Sequence, residues 1–169
     1  MIQEEQTIHQ NLLLRPAELA DEAFLETVYA ETRRGELAVL NWSREQENDF
    51  FKMQFRLQNQ SYKMQFPDAD YSVVELNKIP IGCLIVERAG KIRLVNIALL
   101  PEFRSRGIGE FLLKQIQAEA QASAKPLTLN VLKTNDRAVN LTSVAASPLP
   151  AAMSFIWQCN GKNRRNEIT

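Results

Sequence analysis

At 169 residues, with 45% hydrophobic and 24% charged residues, the chain reads as one globular domain that closes its core without metal or disulfide staples. Its 20 Lys plus Arg balance 20 Asp plus Glu, which leaves no basic footprint for nucleic acid. No stretch approaches the ~18 apolar residues of a membrane span.

Leu12-Leu13-Leu14-Arg15-Pro16 is a short apolar run stopped by proline, as in a first strand ending at a turn. Asp21-Glu22 open an amphipathic stretch with Phe24, Leu25, Val28 and Tyr29 at helical spacing, and Gly35 ends it after Arg33-Arg34. Ser43-Arg44-Glu45-Gln46 reads as a capping box opening a long helix that Pro67-Asp68 closes. Phe50, Phe51, Met53, Phe55, Leu57, Tyr62 and Met64 spread beyond one narrow stripe of that helix. Together with Tyr29 and Trp42, its aromatics are either core or the wall of a substrate cleft.

From Tyr71 the period becomes two. Tyr71–Leu76, a turn at Asn77-Lys78, Ile79–Val86, a turn at Ala89-Gly90 and Ile92–Leu100 give three consecutive antiparallel strands, closed by Pro101. A helix with Ile108, Leu112, Ile116 and Ala120 on one face follows. Pro126 separates it from a fifth strand, Leu127–Leu132, and Asn135–Leu141 begins a last helix. The order is mixed α/β (α+β) in a single domain.

The lone histidine, His9, lies in a polar leader with no cysteine or carboxylate patterned around it, which removes Ser-His and Cys-His nucleophile pairs and histidine zinc sites. No metal is expected. Cys83 and Cys159 make no disulfide framework, and Met1 to Gln6 carries neither the basic nor the apolar region of a secretory signal, so a cytoplasmic location is expected.

The chemistry concentrates where a strand passes through Pro101-Glu102-Phe103 into Arg104-Ser105-Arg106-Gly107-Ile108-Gly109, an Arg-x-x-Gly-x-Gly that opens a helix. Backbone N–H groups from Ser105 to Glu110 have no intrahelical acceptor, glycines at 107 and 109 let a diphosphate approach, and Arg104 and Arg106 add charge. A Rossmann fingerprint fails because Leu112 stands at the third glycine position after antiparallel strands, and the Walker A pattern is absent.

The run Ile97-Ala98-Leu99-Leu100-Pro101-Glu102-Phe103 through Arg104-Ser105-Arg106-Gly107-Ile108-Gly109-Glu110 to Leu113 resembles the acetyl-CoA motif of the GNAT superfamily of N-acetyltransferases. Leu129 to Asn135, with Ala138 and Asn140-Leu141, resembles that family's next strand and helix. The resemblance implies a GNAT-like fold over residues 12–141, between a polar leader at 1–11 and a tail at 142–169, with strands four and five splayed apart. It implies acetyl-CoA as cosubstrate: Ile97, Ala98 and Leu99 along the pantetheine, Arg104, Ser105, Arg106, Gly107, Ile108, Gly109 and Glu110 around the pyrophosphate, and Asn135 farther along. It also implies transfer of acetyl to a primary amine of a small molecule or peptide, and allows a homodimer.

The general base is where the residues depart from that family. Strand five carries Asn130 and strand four only Arg93 and Asn96, none a base at neutral pH. Glu75 and Glu87 on neighbouring strands are the remaining candidates, either as bases or as solvated strand carboxylates. Cys83 reads as a small strand residue rather than a nucleophile. A non-catalytic acyl-CoA-binding or regulatory module on the same fold is the competing reading.

After Leu141 the likeness stops. The family's tyrosine, whose hydroxyl protonates the leaving thiolate, falls at Thr142, and Ser143 to Thr169 lacks the family's Gly-Phe turn and closing strands. If one base is lost after the Leu141 codon, each restored codon takes its last two bases from residues present here. The tail then permits Leu-Tyr-Gln-Arg-Cys-Gly-Phe-Thr-Val-Ala-Gly-Gly-Asp-Glu-Phe-Tyr-Leu-Ala-Met-Gln-Trp-Gln-Glu-Pro-Pro-Gln and a stop, with tyrosine and Gly-Phe at the family's positions. A frameshifted C-terminus is therefore expected. The alternative is a divergent tail with a strand in Ala152 to Cys159.

Overall fold

The computed structural model describes residues 10–37, 41–131, 156–159 and 162–163. The sheet begins with β1 (Leu12–Pro16), an edge strand whose terminal proline withholds no ladder donor, antiparallel to β2 (Ala69–Leu76). A 3-10 turn at Leu19–Asp21 leads into α1 (Glu22–Leu37), which runs through Gly35 instead of stopping there. Gly35 takes no positive φ, so no left-handed cap forms and the glycine is tolerated in the last turn.

The expected capping box starts α2 (Arg44–Gln65): the Gln46 N–H donates to Ser43 Oγ at 3.2 Å and the Ser43 N–H to Gln46 Oε1 at 2.9 Å. Pro67 disfavours helical geometry at Phe66, where the helix stops. Between β2 and β3 (Ile79–Glu87), Asn77 and Lys78 both take positive φ, 53° and 65°, the pattern of the two-residue hairpin turn that matches strand twist.

β3 continues antiparallel into β4 (Ile92–Leu99), with a register shift between Ile85 and Val86. After α3 (Ile108–Ala122), β5 (Leu127–Val131) runs parallel to β4, and the strands lie in sequence order across the sheet. β6 (Ile156–Cys159) extends β5 in parallel through Asn130 and Val131, and β7 (Lys162–Asn163) pairs antiparallel with β6. The helix expected at Asn135–Leu141 lies outside the described residues.

One face of the sheet packs on α3. Val74, Leu84, Val86, Leu94, Leu127 and Leu129 meet Ile108, Leu112, Leu113, Ile116 and Ala120 in a single buried cluster, which carries the helical stripe read from the sequence. Each of these Val, Leu and Ile side chains contributes about 1.5–3 kcal/mol on burial. α1 contacts β3 and β4 and packs against α2. Phe51 is core at 2% exposure, whereas Trp42, stacked edge-on with Phe50 at 5.3 Å, is exposed. The aromatic set is thus divided between core and surface.

A three-way ion cluster ties the first strand to the sheet. Arg15 donates through Nη1 and Nη2 to the two Asp21 oxygens, both at 2.7 Å, and through Nε to Glu75 Oε1 at 2.6 Å. Asp21 also accepts from the Glu18 N–H at 2.8 Å. The guanidinium, then that backbone donor, holds the Asp21 carboxyl down at about 2 against an ordinary 3.8. A lowered carboxyl pKa stabilises the fold above its unfolded value, and that contribution drains away as pH falls from about 4 through 2. Thermal unfolding of the wild type and Asp21→Asn should therefore differ clearly at pH 7, with the gap closing below pH 4; a constant gap refutes the assignment.

Gly82 lets two strands approach closely. A Cβ there would stand 2.3 Å from the Ala98 carbonyl oxygen and 2.7 Å from Leu99 Cδ2. Urea unfolding should show Gly82→Ala destabilised by about 1–3 kcal/mol through overpacking. Gly35→Ala, where a Cβ meets nothing within 4 Å, should instead stabilise by about 1 kcal/mol.

Candidate functional site

The parallel pairing of β4 and β5 is short: Ile92 lies opposite Leu127, Arg93 opposite Thr128 and Leu94 opposite Leu129. From there the strands part. Among the described strands β4 runs on to Leu99 with only β3 beside it, while β5 pairs next with β6. The expected splay is therefore present, beside the register shift in the β3–β4 ladder.

The hydrogen-bond phase of β4 decides which groups face the gap. The Leu100 N–H donates to the Ile81 carbonyl at 2.9 Å, so residues 81 and 100 form a hydrogen-bonded pair. Antiparallel pairs alternate, which makes Gly82–Leu99 and Leu84–Ile97 pairs whose backbone groups point away from β3. Ile97 and Leu99 thus turn their N–H and C=O groups into the gap, while Ala98 directs its own at Cys83. An extended amide ligand could pair with that edge as an added strand.

At the end of β4 a 3-10 turn, Pro101–Phe103, redirects the chain into the glycine loop. Ser105 and Gly107 take positive φ, 59° and 74°, and coil the backbone tightly; glycine bears this freely, a serine at some strain. Gly107 is the N-cap of α3, and its carbonyl accepts the Phe111 N–H at 2.9 Å. The N–H groups of Ile108, Gly109 and Glu110 precede that first helical bond, as an anion site requires. Ser105 and Arg106 are exposed, and the Arg106 guanidinium lies 5.5 Å from the Phe103 ring centroid. Glu110 pairs with Lys114 at 2.7 Å, which tempers its charge beside the loop.

Arg104 stands apart from the loop's open face. Its Nε donates to the Leu99 carbonyl at 2.7 Å and its Nη2 to the Glu31 carbonyl at 3.2 Å. Sequence reasoning assigned this residue a charge; its reach back to β4 and α1 carries no sequence signal.

The two carboxylates singled out from the sequence are not alike. Glu75 is buried and held by Arg15, on a strand two removed from β4. Glu87 lies opposite Arg93, with Nε to Oε2 at 3.6 Å, and the Arg93 guanidinium sits 4.9 Å from the Phe66 ring centroid. Neither is an unpaired base. Asn96, next to the parting of the strands, donates from Nδ2 to Cys83 Sγ at 3.7 Å, and burial pushes the Cys83 thiol up to about 12. That thiol is no nucleophile at neutral pH.

Sequence reasoning missed two buried hydroxyls without hydrogen-bond partners, on Tyr71 and Thr128. Burial raises the pKa of Tyr71 and Tyr62, which keeps both phenols protonated. Asn135 and Thr142 lie outside the described residues. Among the described residues no cluster of His, Cys, Asp or Glu could hold a metal, and no helix is long and apolar enough to cross a membrane.

No individually curated protein sequence matches the chain. Among solved structures, the PaiA N-acetyltransferase of Thermoplasma acidophilum in complex with coenzyme A superposes with a TM-score of 0.61 at 18% identity, over 90% of this chain and 94% of that one. The spermidine N-acetyltransferase of Vibrio cholerae, with CoA and spermine, gives 0.54 at 18% identity over 81% and 80%. A transcriptional regulator from Bacillus halodurans gives 0.54 at 12% identity over 80% and 91%. At such identities the likeness speaks for the fold. The model of the acetyltransferase (GNAT) family matches residues 34–143, more than half of the sequence and all of the β4 edge and glycine loop described above, so the chain belongs to the GNAT acetyltransferase family.

Proposed function

We propose that the protein is an acetyl-CoA-dependent N-acetyltransferase of the cytoplasm that acts on a primary amine of a small molecule or peptide. The observation that carries this reading is the juxtaposition of two backbone features: the open β4 edge at Ile97 and Leu99, and the left-handed loop at Ser105 and Gly107 opening α3. An extended diamide ending in a diphosphate needs such a pair. Acetyl-CoA supplies the activated acyl group as a thioester; the chain supplies alignment, which converts a bimolecular attack into an effectively intramolecular one.

In that reading Ile97 and Leu99 hold the pantetheine amides, and the N–H groups of Ile108, Gly109 and Glu110 face the pyrophosphate with Arg106 beside them. The acceptor amine loses its proton, forms the N–C bond and displaces the CoA thiolate, so both a base and an acid have work to do. With Glu75 held by Arg15, Glu87 is the remaining carboxylate, reached through water, and Arg93 must release it. The acid is the weaker point. Thr142 has a hydroxyl far less acidic than a phenol, and Asn135 is assigned to the cofactor by resemblance alone.

We further propose that residues 12–141 are the transferase domain and that the tail from 142 arises from a shifted reading frame. The genetic-code reconstruction supports this, as does the end of the family match at residue 143. The four-residue β6 fits the divergent-tail alternative. A tail that, among the described residues, sets only the four-residue β6 and the two-residue β7 where the family has its closing strands leaves transfer slow and CoA binding weak. For the same reason a non-catalytic acyl-CoA-binding module is the second reading, favoured by the pairing of both candidate bases, Glu75 with Arg15 and Glu87 with Arg93.

Two experiments test these proposals. Acetyl-CoA should raise the melting temperature of the wild type, and Gly107→Val with Gly109→Val should abolish that rise while the protein stays folded; an undiminished rise overturns the loop assignment. For the tail, the gene is resequenced across the Leu141 codon and the restored-frame chain is compared with the 169-residue chain by DTNB detection of CoA release over an amine panel. The restored chain should be faster by about 10²-fold, the weight of one general acid. An unchanged frame together with full transfer by the 169-residue chain refutes the frameshift.

A further inference from the structure

We propose that Arg104 is a positioning residue and not an anion ligand: its guanidinium joins the open edge of β4 to α1 and fixes which backbone groups that edge offers. This rests on the transferase reading above. The geometry is specific. Nε reaches the Leu99 carbonyl at 2.7 Å and Nη2 the Glu31 carbonyl at 3.2 Å, so one planar group bridges two elements far apart in sequence. The Leu99 carbonyl is one of the groups that β4 turns into the gap, as the Ile81–Leu100 hydrogen bond requires. Arg104 fills it. An extended amide ligand is left with the Ile97 N–H and C=O and the Leu99 N–H, which restricts the register in which it can lie.

The same bridge links the two halves of a transfer site. Glu31 is one turn beyond Val28 on α1, the helix that carries Tyr29 and Arg33 and packs on α2, whereas Leu99 ends the strand that flanks the gap. With Arg104 turned back in this way, anion binding falls to the backbone N–H groups at the start of α3 and to exposed Arg106.

The test compares the full chain with Arg104→Met and Arg104→Lys, using acetyl-CoA and acetyl-pantetheine, which lacks the phosphates, as NMR titrants. A bridge between carbonyls should cost both ligands the same factor, about tenfold in Arg104→Met, since the lost contact is a charge-assisted hydrogen bond. Lysine, which cannot span two carbonyls with a planar fork, should lose nearly as much. A loss confined to acetyl-CoA makes Arg104 a phosphate ligand and overturns the proposal. Hydrogen exchange in the ligand-free proteins gives an independent readout: amides of residues 34–37 should exchange several-fold faster in Arg104→Met, and unchanged exchange refutes the bridge. A wild type that binds neither titrant refutes the transferase reading, while the exchange result still decides the bridge.

Discussion

The parting of β4 and β5 after Leu94 and Leu129 is the constraint on which the rest of this structure depends. Two parallel strands that stay together satisfy each other's backbone; two that separate leave donors and acceptors that something else must meet. β5 meets its need with β6. β4 keeps β3 on one side and presents Ile97 and Leu99 on the other, with the Leu99 carbonyl capped by Arg104. The glycine loop matters because it starts where that edge ends.

Holding two strands apart requires rigid neighbours. α3 grips both strands from one face through Leu94, Leu127 and Leu129, just before they diverge, so the divergence begins at a fixed point of the core. On the other side of β4, Gly82 admits the Ala98 carbonyl and the Leu99 side chain at distances that no Cβ would tolerate. Arg15, with Asp21 and Glu75, secures the far edge of the meander. These contacts fix the course of the open edge, whose Ile97 and Leu99 side chains pack against the same core.

Most of the fold was legible because its signals are local. The change of period at Tyr71, the capping box at Ser43, the Asn77-Lys78 turn and the stripe of Ile108, Leu112, Ile116 and Ala120 are each set within a few residues, and all correspond to observed elements. Gly35 misled because a glycine ends a helix only when its backbone turns left-handed, which it does not do here. The glycine loop was legible as a motif, yet the division of labour in it was not. That Arg104 reaches backward while Arg106 stays outside depends on the course of the chain through Pro101–Phe103, and that Ala98 bonds across to β3 depends on ladder phase. Glu75 looked available from the sequence because its partner, Arg15, is sixty residues away.

The order of the strands has a consequence for synthesis. β1 to β4 lie side by side in the sheet, and β2 to β4 follow one another through short turns, so most of their contacts are local in sequence. Local contacts form fast, and the N-terminal part of a chain emerges first from the ribosome. The meander, α3 and the β4 edge are therefore all outside the ribosome before the tail is complete. A nascent chain can assemble them whichever reading frame supplies the final residues.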